Sequence, residues 1–263
     1  MNLRHGDAQR HTLIDGRLVE HLAQWQRKPT VRALYVDYYR RIANACVAGP
    51  TLEIGGGSGG FKNFRPDVIS TDILSVPWLD IVADGQCLPF ADGAFANLIM
   101  LDVLHHIEFP RLFLAEAARV LRPNGRLVMV EPAITPLSWP FYHFIHQEPV
   151  CLSADPLDEG IPNPTRDAFA ANQAIPTLLI GRHRARLNVA VPELAVIRVE
   201  WLSIISYPLS GGFKPWCLLP KALVPALVRL EDWICRHLGH LLAFRLLAVM
   251  ERRTLASELT PLP

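Results

Sequence analysis

The first half of the chain alternates between short aliphatic runs and longer segments in which apolar residues keep helical spacing. The runs predict five strands, at residues 51–54, 68–71, 79–83, 96–101 and 126–130. A helix is predicted over residues 110–121, because the Arg122-Pro123-Asn124-Gly125 sequence that follows is a strong stop signal. Strands that alternate with helices form a parallel sheet, which binds ligands at the carboxyl ends of its strands.

The flanking parts of the chain follow other patterns. After a polar tail at residues 1–16, two N-terminal cap helices are expected within residues 1–50, and residues 51–132 form the core. Prolines and aromatic residues crowd residues 133–192, which we interpret as an insertion that builds an acceptor pocket. Residues 193–263 return to the sheet, with strands at 194–205 and 246–250. The helix between them is amphipathic, and its leucine-rich side, from Leu223 to Leu241, is expected to face the core.

The glycine-rich stretch Thr51–Gly60 is the first candidate for chemistry. Glycine lets the backbone approach a ligand closely, because it has no Cβ and adopts positive φ without cost. Gly55, Gly57 and Gly60 satisfy the G-x-G-x-x-G dinucleotide pattern, whereas Glu53, Gly55, Gly57 and Gly59 satisfy E-x-G-x-G-x-G. Either pattern predicts a nucleotide-like cofactor at the turn.

Two acidic residues follow the next two predicted strands. Asp72 lies at the end of the second strand, where a carboxylate can accept hydrogen bonds from both hydroxyls of a ribose. Asp84 lies at the end of the third strand. Both acids therefore belong to the same edge of the sheet as the glycine turn.

Four features in this order resemble the class I S-adenosylmethionine (SAM)-dependent methyltransferases, in particular the small-molecule, type 11-like family. They are the E-x-G-x-G-x-G turn, Asp84 followed by L-P-F-A-D-G-A-F, the L-H-H-I sequence at residues 104–107, and L-R-P-N-G-R-L-V-M-V-E-P at residues 121–132. One departure is Ala96, where the family usually has Asp. The resemblance implies a Rossmann-like, seven-stranded, mostly parallel α/β sheet flanked by helices, with an inserted substrate lid. In such a sheet the last strand is antiparallel and lies between the fifth and sixth.

The resemblance also implies SAM as the cofactor, with Asp72 on the ribose and Asp84 on the adenine amino group. The predicted cofactor residues are Glu53, Gly55, Gly57, Gly59, Asp72, Asp84, Gly85 and Leu101. We predict a SAM-dependent methyltransferase acting on a small, apolar acceptor, with methylation at oxygen slightly favoured over carbon. The alternatives are a non-catalytic SAM- or nucleotide-binding protein and an NAD-dependent oxidoreductase.

The acceptor side is predicted from aromatic and histidine residues. Tyr38, Trp139 and Tyr142 are candidates for the substrate pocket, and His106, His143 and His146 are candidate general bases, since histidine titrates near working pH. His143 and His146 are three apart, so on a helix both would face one cleft. A metal at His143, His146 and Glu148 is the weaker interpretation because the spacing is irregular, and no metal is predicted. Structural histidines are a further alternative.

Composition narrows the partners. Lys and Arg number 26 against 25 Asp and Glu, so no nucleic-acid partner is expected. The five cysteines are scattered, which favours a reducing compartment, and no apolar leader or membrane-spanning run is evident. We expect a cytoplasmic protein with a small-molecule substrate. Peripheral membrane contact through apolar surfaces stays open, and the oligomeric state is not predicted.

Overall fold

The computed structural model describes residues 15–254 of the 263-residue chain. The α-helices in this range are α1 Gly16–Arg27, α2 Pro29–Ala45, α3 Gly60–Phe64, α4 Pro110–Val120, α5 Ser138–Phe144, α6 Ile175–Ile180, α7 Arg184–Ala190, α8 Ser206–Ser210 and α9 Val224–Leu242. The strands are β1 Thr51–Ile54, β2 Ile69–Asp72, β3 Ile81–Val82, β4 Phe95–Leu101, β5 Leu121–Pro132, β6 Leu194–Leu202 and β7 Arg245–Arg252. Short 3₁₀ helices span Leu104–His106 and Lys221–Leu223.

The strands form one seven-stranded sheet in the order β3-β2-β1-β4-β5-β7-β6. The pairs from β3 to β5 are parallel, and β7 is antiparallel to both of its neighbours. The Rossmann-like α/β fold, with the last strand inserted between the fifth and sixth, is therefore confirmed. Strand order reverses beside β1, and the ends of β1 and β4 meet there at the edge where ligands bind in open α/β sheets.

Two strands, β3 and β6, are shorter than the sequence expectation. The third strand is only Ile81–Val82, because Asp80 before it accepts the Ser70 N–H through its side chain at 2.8 Å. The sixth strand ends at Leu202, since Ser203 has a left-handed backbone with φ of 56°. Most of the predicted polar tail, at residues 1–14, lies outside the described residues.

Helices cover both faces of the sheet. One apolar cluster joins strand residues such as Leu98 to α4 through Phe113 and Leu114. The other joins the opposite face, with Ile99, to α2 through Leu34 and Tyr38. This two-sided cover explains why the central strands β4 and β5 contain aliphatic runs that face both sides of the sheet.

The leucine-rich side of α9 does not face the core as expected. Glu231, Cys235 and Gly239 face inward, whereas Leu230 and Leu238 are 54% and 46% exposed. A Cβ at Gly239 would lie 2.2 Å from the Trp201 side chain, so this glycine sets the close approach to β6. Polar bonds also select the inward face, because the Glu231 carboxylate accepts the N–H groups of Ile205 and Ser206 at 2.6 and 2.7 Å. In the part of the chain that the structure describes, no helix is long and apolar enough to span a membrane.

Candidate active site

The turn after β1 opens a cavity at the carboxyl edge of the sheet. Gly55, Gly57 and Gly59 all have positive φ, at 68°, 49° and 72°, as the turn requires. A Cβ on Gly55 would clash with Val103, whereas one on Gly57 would meet nothing closer than 3.9 Å. Gly57 is therefore the position at which the backbone itself borders open space.

The cavity has a volume of about 760 Å³, within the usual range for ligand sites. Its wall includes these predicted cofactor residues: Glu53, Gly55, Gly57, Asp72, Asp84, Gly85 and Leu101. Among the described residues 15–254, Gly59 does not line the cavity, because it precedes α3 and faces the Trp78 ring. Its glycine requirement comes from the turn and that ring.

Asp72 is oriented by the backbone around it. Its carboxylate accepts the N–H of Gly57 and the N–H of Leu74, each at 2.9 Å. Burial raises the pKa of Asp72, and these two hydrogen bonds oppose the rise. Since a carboxylate offers about four lone-pair sites, the side chain keeps capacity for two further donors.

Asp84 is held by Gln86, a residue that the sequence interpretation did not select. The Asp84 carboxylate accepts the Gln86 N–H at 2.8 Å and the Gln86 side-chain amide at 3.2 Å. The amide oxygen of Gln86 in turn accepts the Phe109 N–H at 2.9 Å. Asp84 is thereby fixed at the cavity wall.

Glu53 lies below the turn and is nine-tenths or more buried. It accepts a short hydrogen bond from Ser70 Oγ. Burial is the main cause that raises the pKa of Glu53 to about 7, and the bond from Ser70 opposes it. Glu53 therefore supports the turn through Ser70 on β2.

Asp102 follows β4 and departs from ordinary backbone geometry, with φ of 59°. Strain of this kind in a non-glycine residue often accompanies functional sites. The Asp102 carboxylate accepts the Tyr35 hydroxyl at 3.0 Å and makes a short ion pair with Arg245. Arg245 is 1% exposed and lies 4.9 Å from the centroid of the Tyr207 ring, so α2, β4 and β7 are tied together at the wall.

His105 has a well-defined orientation in the 3₁₀ helix after β4. Its Nδ1 lies 2.7 Å from Glu131 Oε2 on β5. The other oxygen of Glu131 accepts the N–H groups of Val103 and Leu104 at 2.8 Å each. Because the carboxylate can only accept, the proton of this bond lies on Nδ1 and the Nε2 of His105 faces the cavity side.

Glu148 brings three histidines together from the insertion side. Its carboxylate lies 3.5 Å from His105 Nε2, 3.9 Å from His106 Nε2 and 4.0 Å from His146 Nδ1, and Gln173 donates a short bond to it. Burial disfavours charge on both partners, but their hydrogen bonds lower the pKa of Glu148 to about 2 and raise the pKa of His105 to about 9. Burial and the neighbouring His105 lower the pKa of His106 to about 4.

The three predicted histidines separate in the structure. His106 and His146 line the cavity, whereas His143 is exposed and stacks on Trp139 at a ring distance of 4.8 Å. The predicted common face fails because α5 ends at Phe144, before His146. His146 Nδ1 accepts the Glu148 N–H at 3.3 Å, so this ring carries its proton on Nε2 and presents a donor.

The three aromatic residues predicted for the pocket lie elsewhere. Tyr38 is 1% exposed and bonds to Ser203 Oγ at 2.7 Å; Tyr142 is equally buried and donates to the Phe244 carbonyl at 2.9 Å. Trp139 packs on His143, outside the described cavity wall. Their hydroxyls or rings are used in packing, as expected for large side chains with a polar atom that burial must satisfy.

The aromatic residues of the wall lie instead on other elements, among them α1, α2, the insertion and the loop after α8, and they include Trp25, Tyr35, Tyr39, Phe141, Phe169 and Phe213. Sequence reasoning passed over Glu131 and Arg245 as active-site residues. A buried strand that contains one acid, such as Glu131 in β5, is a signal that could have been followed. No signal in the sequence places Arg245 beside Asp102.

A sequence profile described as a methyltransferase domain matches residues 52–129. Demethylmenaquinone methyltransferase of Tropheryma whipplei (strain Twist) is 28% identical over 144 residues, which cover 46% of this chain and 60% of that protein. The enzyme of the same name from Renibacterium salmoninarum is 31% identical over 110 residues, covering 38% of this chain and 46% of the relative. The matches thus span only about half of each relative.

Among solved structures, a SAM-dependent methyltransferase from Thermotoga maritima has a similar fold. The TM-score is 0.53 at 13% identity, and the alignment covers 90% of this chain and 99% of the other. At this identity the likeness concerns the fold. It extends the similarity beyond residues 52–129 to most of the chain.

Proposed function

We propose that this chain, which carries a class I SAM-dependent methyltransferase domain, is an enzyme that methylates a small, apolar acceptor. The observation that carries the proposal is a single cavity shared by the cofactor residues and by the cluster around Glu148. A cofactor and a second molecule can therefore meet in one cavity.

The residues present fit SAM, the cofactor of this class of domain. Gly57 borders open space that any side chain would occupy, and Asp72 retains acceptor capacity for ribose hydroxyls. Asp84 stands at the wall beyond β3, in a position to accept from an adenine amino group. When bound, SAM supplies an activated methyl group on a sulfonium.

The acceptor end of the cavity favours a small, largely apolar molecule. Aromatic rings such as Tyr35, Phe169 and Phe213 line it, and flat apolar ligands pack well on such rings. The polar groups at this end include the cluster at His106 and Glu148, with the Nε2 of His146 as a donor. Because this cluster can form hydrogen bonds with a hydroxyl of the acceptor, it supports methylation at oxygen over carbon.

The chain contributes mainly by positioning the reactants. Alignment of two bound molecules in one geometry can supply about 7–11 kcal/mol of a barrier. Asp72 and the glycine turn hold one partner, while the aromatic wall orients the other. In this proposal the insertion at residues 133–192 covers the acceptor, and the cluster at His106 and Glu148 receives its hydroxyl.

Two measurements test the proposal. Calorimetry with SAM and with NAD is expected to show binding of SAM alone. Binding of NAD alone would favour the alternative of an NAD-dependent oxidoreductase. Cell extracts incubated with the protein and methyl-deuterated SAM are expected to yield products heavier by the labelled methyl group. SAM binding without any labelled product across extracts rich in phenols, quinones and lipids would favour a non-catalytic binding protein.

A further inference from the structure

Three donor groups from two distant segments converge on one point of the cavity wall. His105 Nε2 lies 3.5 Å from Glu148 Oε2, and His106 Nε2 lies 3.9 Å from Glu148 Oε1. One donor atom from each of the three residues lies within 4.8 Å of the other two. Ligand atoms that bind a tetrahedral ion at about 2.0–2.2 Å lie about 3.3 Å from one another. The longest distance between two of these three ligand atoms therefore has to decrease by no more than about 1.5 Å.

The support around His105 is that of a metal ligand. His105 donates its Nδ1 proton to Glu131 at 2.7 Å, and Glu131 is itself held by two backbone N–H groups. A histidine that ligates a metal almost always gives its other ring N–H to a carboxylate or carbonyl. Glu131 is fully buried, so this orientation of His105 is built into the fold.

A second, independent observation is an unsatisfied polar group beside the donors. Gln173 is 2% exposed and donates to Glu148, yet its Oε1 has no hydrogen-bond partner among residues 15–254. A buried polar atom without a partner points to a missing ligand or water. An ion at this place, with water in its remaining position, would supply that partner.

We propose that His105, His106 and Glu148 hold a divalent transition-metal ion of the Zn²⁺ type at the acceptor end of the cavity. Two imidazoles and one carboxylate suit Zn²⁺ or its first-row neighbours, whereas Mg²⁺ and Ca²⁺ prefer oxygen ligands. Three protein ligands are the number found in catalytic zinc sites, which keep one position open.

An alternative triad, Asp102, His105 and Glu131, is equally compact but is already satisfied. Asp102 pairs with Arg245 and Tyr35, and Glu131 accepts two backbone N–H groups and the His105 ring. A cation there would have to displace a buried arginine. The ion therefore belongs on the Glu148 side of His105.

The open position gives the ion a role and narrows the substrate class. At this position the ion would bind the oxygen of a phenol- or enol-type acceptor and lower the pKa of that hydroxyl, as a bound cation does for water. The O–H bond breaks, its electron pair stays on the acceptor oxygen and the proton passes to bulk water. This role rests on the methyl transfer proposed above, whereas binding of the ion does not.

The test uses the full chain stripped of metal with a chelator and then titrated with Co²⁺ alone, read by visible absorption, and with Zn²⁺ alone, read by calorimetry. One ion per chain is expected. His106→Ala and Glu148→Gln should each weaken binding by more than about 100-fold, since each removes a ligand, whereas the matched control His143→Ala should bind as the wild type does.

A positioning variant sharpens the test. In Glu131→Gln the amide oxygen can keep the bonds from Val103 and Leu104, but the amide N–H then faces His105 Nδ1. The ring proton is driven to Nε2, where it blocks the metal, so affinity should fall about 10–100-fold. Circular dichroism checks the fold of every variant, and Glu148→Gln, at a partly exposed position, carries the test should a histidine variant unfold.

Several outcomes would overturn the site: no stoichiometric binding by the wild type, binding that survives both His106→Ala and Glu148→Gln, or an equal loss in His143→Ala. SAM affinity and labelled product are measured on the same samples. Specific metal binding without any methylated product would overturn the proposed function and leave the site standing. Methylated product from a protein that binds no metal would overturn the metal site and leave the proposed function standing.

Discussion

The cofactor end of the cavity comes from one stretch, residues 53–85, together with Leu101, whereas the acceptor end draws on segments between residues 17 and 245. At the cofactor end, backbone groups do much of the work, as in the N–H of Gly57 that orients Asp72. At the acceptor end, side chains join segments that are far apart, as Gln173 and Glu148 do. The first arrangement is written into local sequence, and the second exists only once the chain has folded.

Two carboxyls, one at each end, show what this difference does to charge. Glu53 is buried beside a hydroxyl, and its pKa rises to about 7. Glu148 is partly buried, which alone would raise its pKa, but the histidines from the loop after β4 lower it to about 2. The acceptor end therefore retains a charged carboxylate only because distant segments supply its partners.

Other long-range contacts hold the acceptor end together. Arg17 on α1 forms an ion pair with Asp167 in the insertion at 2.8 Å. Lys28 donates to three carbonyls of the loop after α8, including that of Gly212 at 2.6 Å. Substitutions at the cofactor end should therefore mainly affect cofactor binding. Substitutions at the acceptor end should mainly affect turnover.

The largest effect is expected at the glycine turn. Gly57→Val should weaken SAM binding by more than about 100-fold, because the new side chain fills the open space beside the backbone. Positive φ adds about 1–2 kcal/mol of strain for a residue other than glycine.

Calorimetry with SAM measures this effect, and Gly93→Val is the matched control. Gly93 has φ of 66° and ordinary space around it, and it lies outside the described cavity wall. The control should lose stability to a similar extent and still bind SAM. Normal SAM binding by Gly57→Val would mean that the turn does not receive the cofactor.

At the acceptor end, His106→Ala should lower turnover by about 100-fold with SAM affinity unchanged within about threefold. His106 lines the cavity beside Glu148, and its loss removes a group that the acceptor hydroxyl needs. Single-turnover kinetics with the acceptor found by labelling measure the change. His143→Ala, on the exposed side of α5, should retain wild-type turnover, and equal losses in both variants would contradict the assignment.

A smaller effect is expected for Asp72→Ala, with SAM affinity reduced by about tenfold or more through lost charge-assisted hydrogen bonds. The side chain also anchors Gly57, so the loss includes some disorder of the turn. Asp67→Ala is the control, since Asp67 pairs with Arg65 on the surface before β2. Unchanged calorimetric affinity in a folded Asp72→Ala variant would remove Asp72 from the cofactor site.

The smallest effect concerns stability alone. Because the pKa of Glu53 is raised above its unfolded value of 4.5 to about 7, the folded protein loses stability as pH rises through this window. Glu53→Gln lacks this titration and keeps an acceptor for Ser70. Urea unfolding at pH 5 and pH 8 should show the wild type losing about 1–3 kcal/mol relative to the variant. Parallel pH profiles would contradict the raised pKa.

Much of the fold follows from local patterns in the sequence. The predicted strands β1, β2, β4 and β5, the stop after α4 and the positive-φ turn all have short-range causes, which periodicity and glycine content reveal. The place of β7 came from the family resemblance instead. Helix α9 shows the limit: two of its faces could pack, and Gly239 and Glu231 decided between them through contacts with β6 and α8.

The amino-acid sequence by itself determined the strands β1, β2, β4 and β5, the glycine turn and the carboxylates Asp72 and Asp84 at the sheet edge, because neighbours along the chain specify them. Only the tertiary structure decided the acceptor end. It moved His143 out of the cavity, since α5 ends before His146, and it placed Glu131 behind His105 across two adjacent strands. Contacts of this kind depend on strand order and on how loops return to the sheet. The spacing of residues along the chain predicts neither of these.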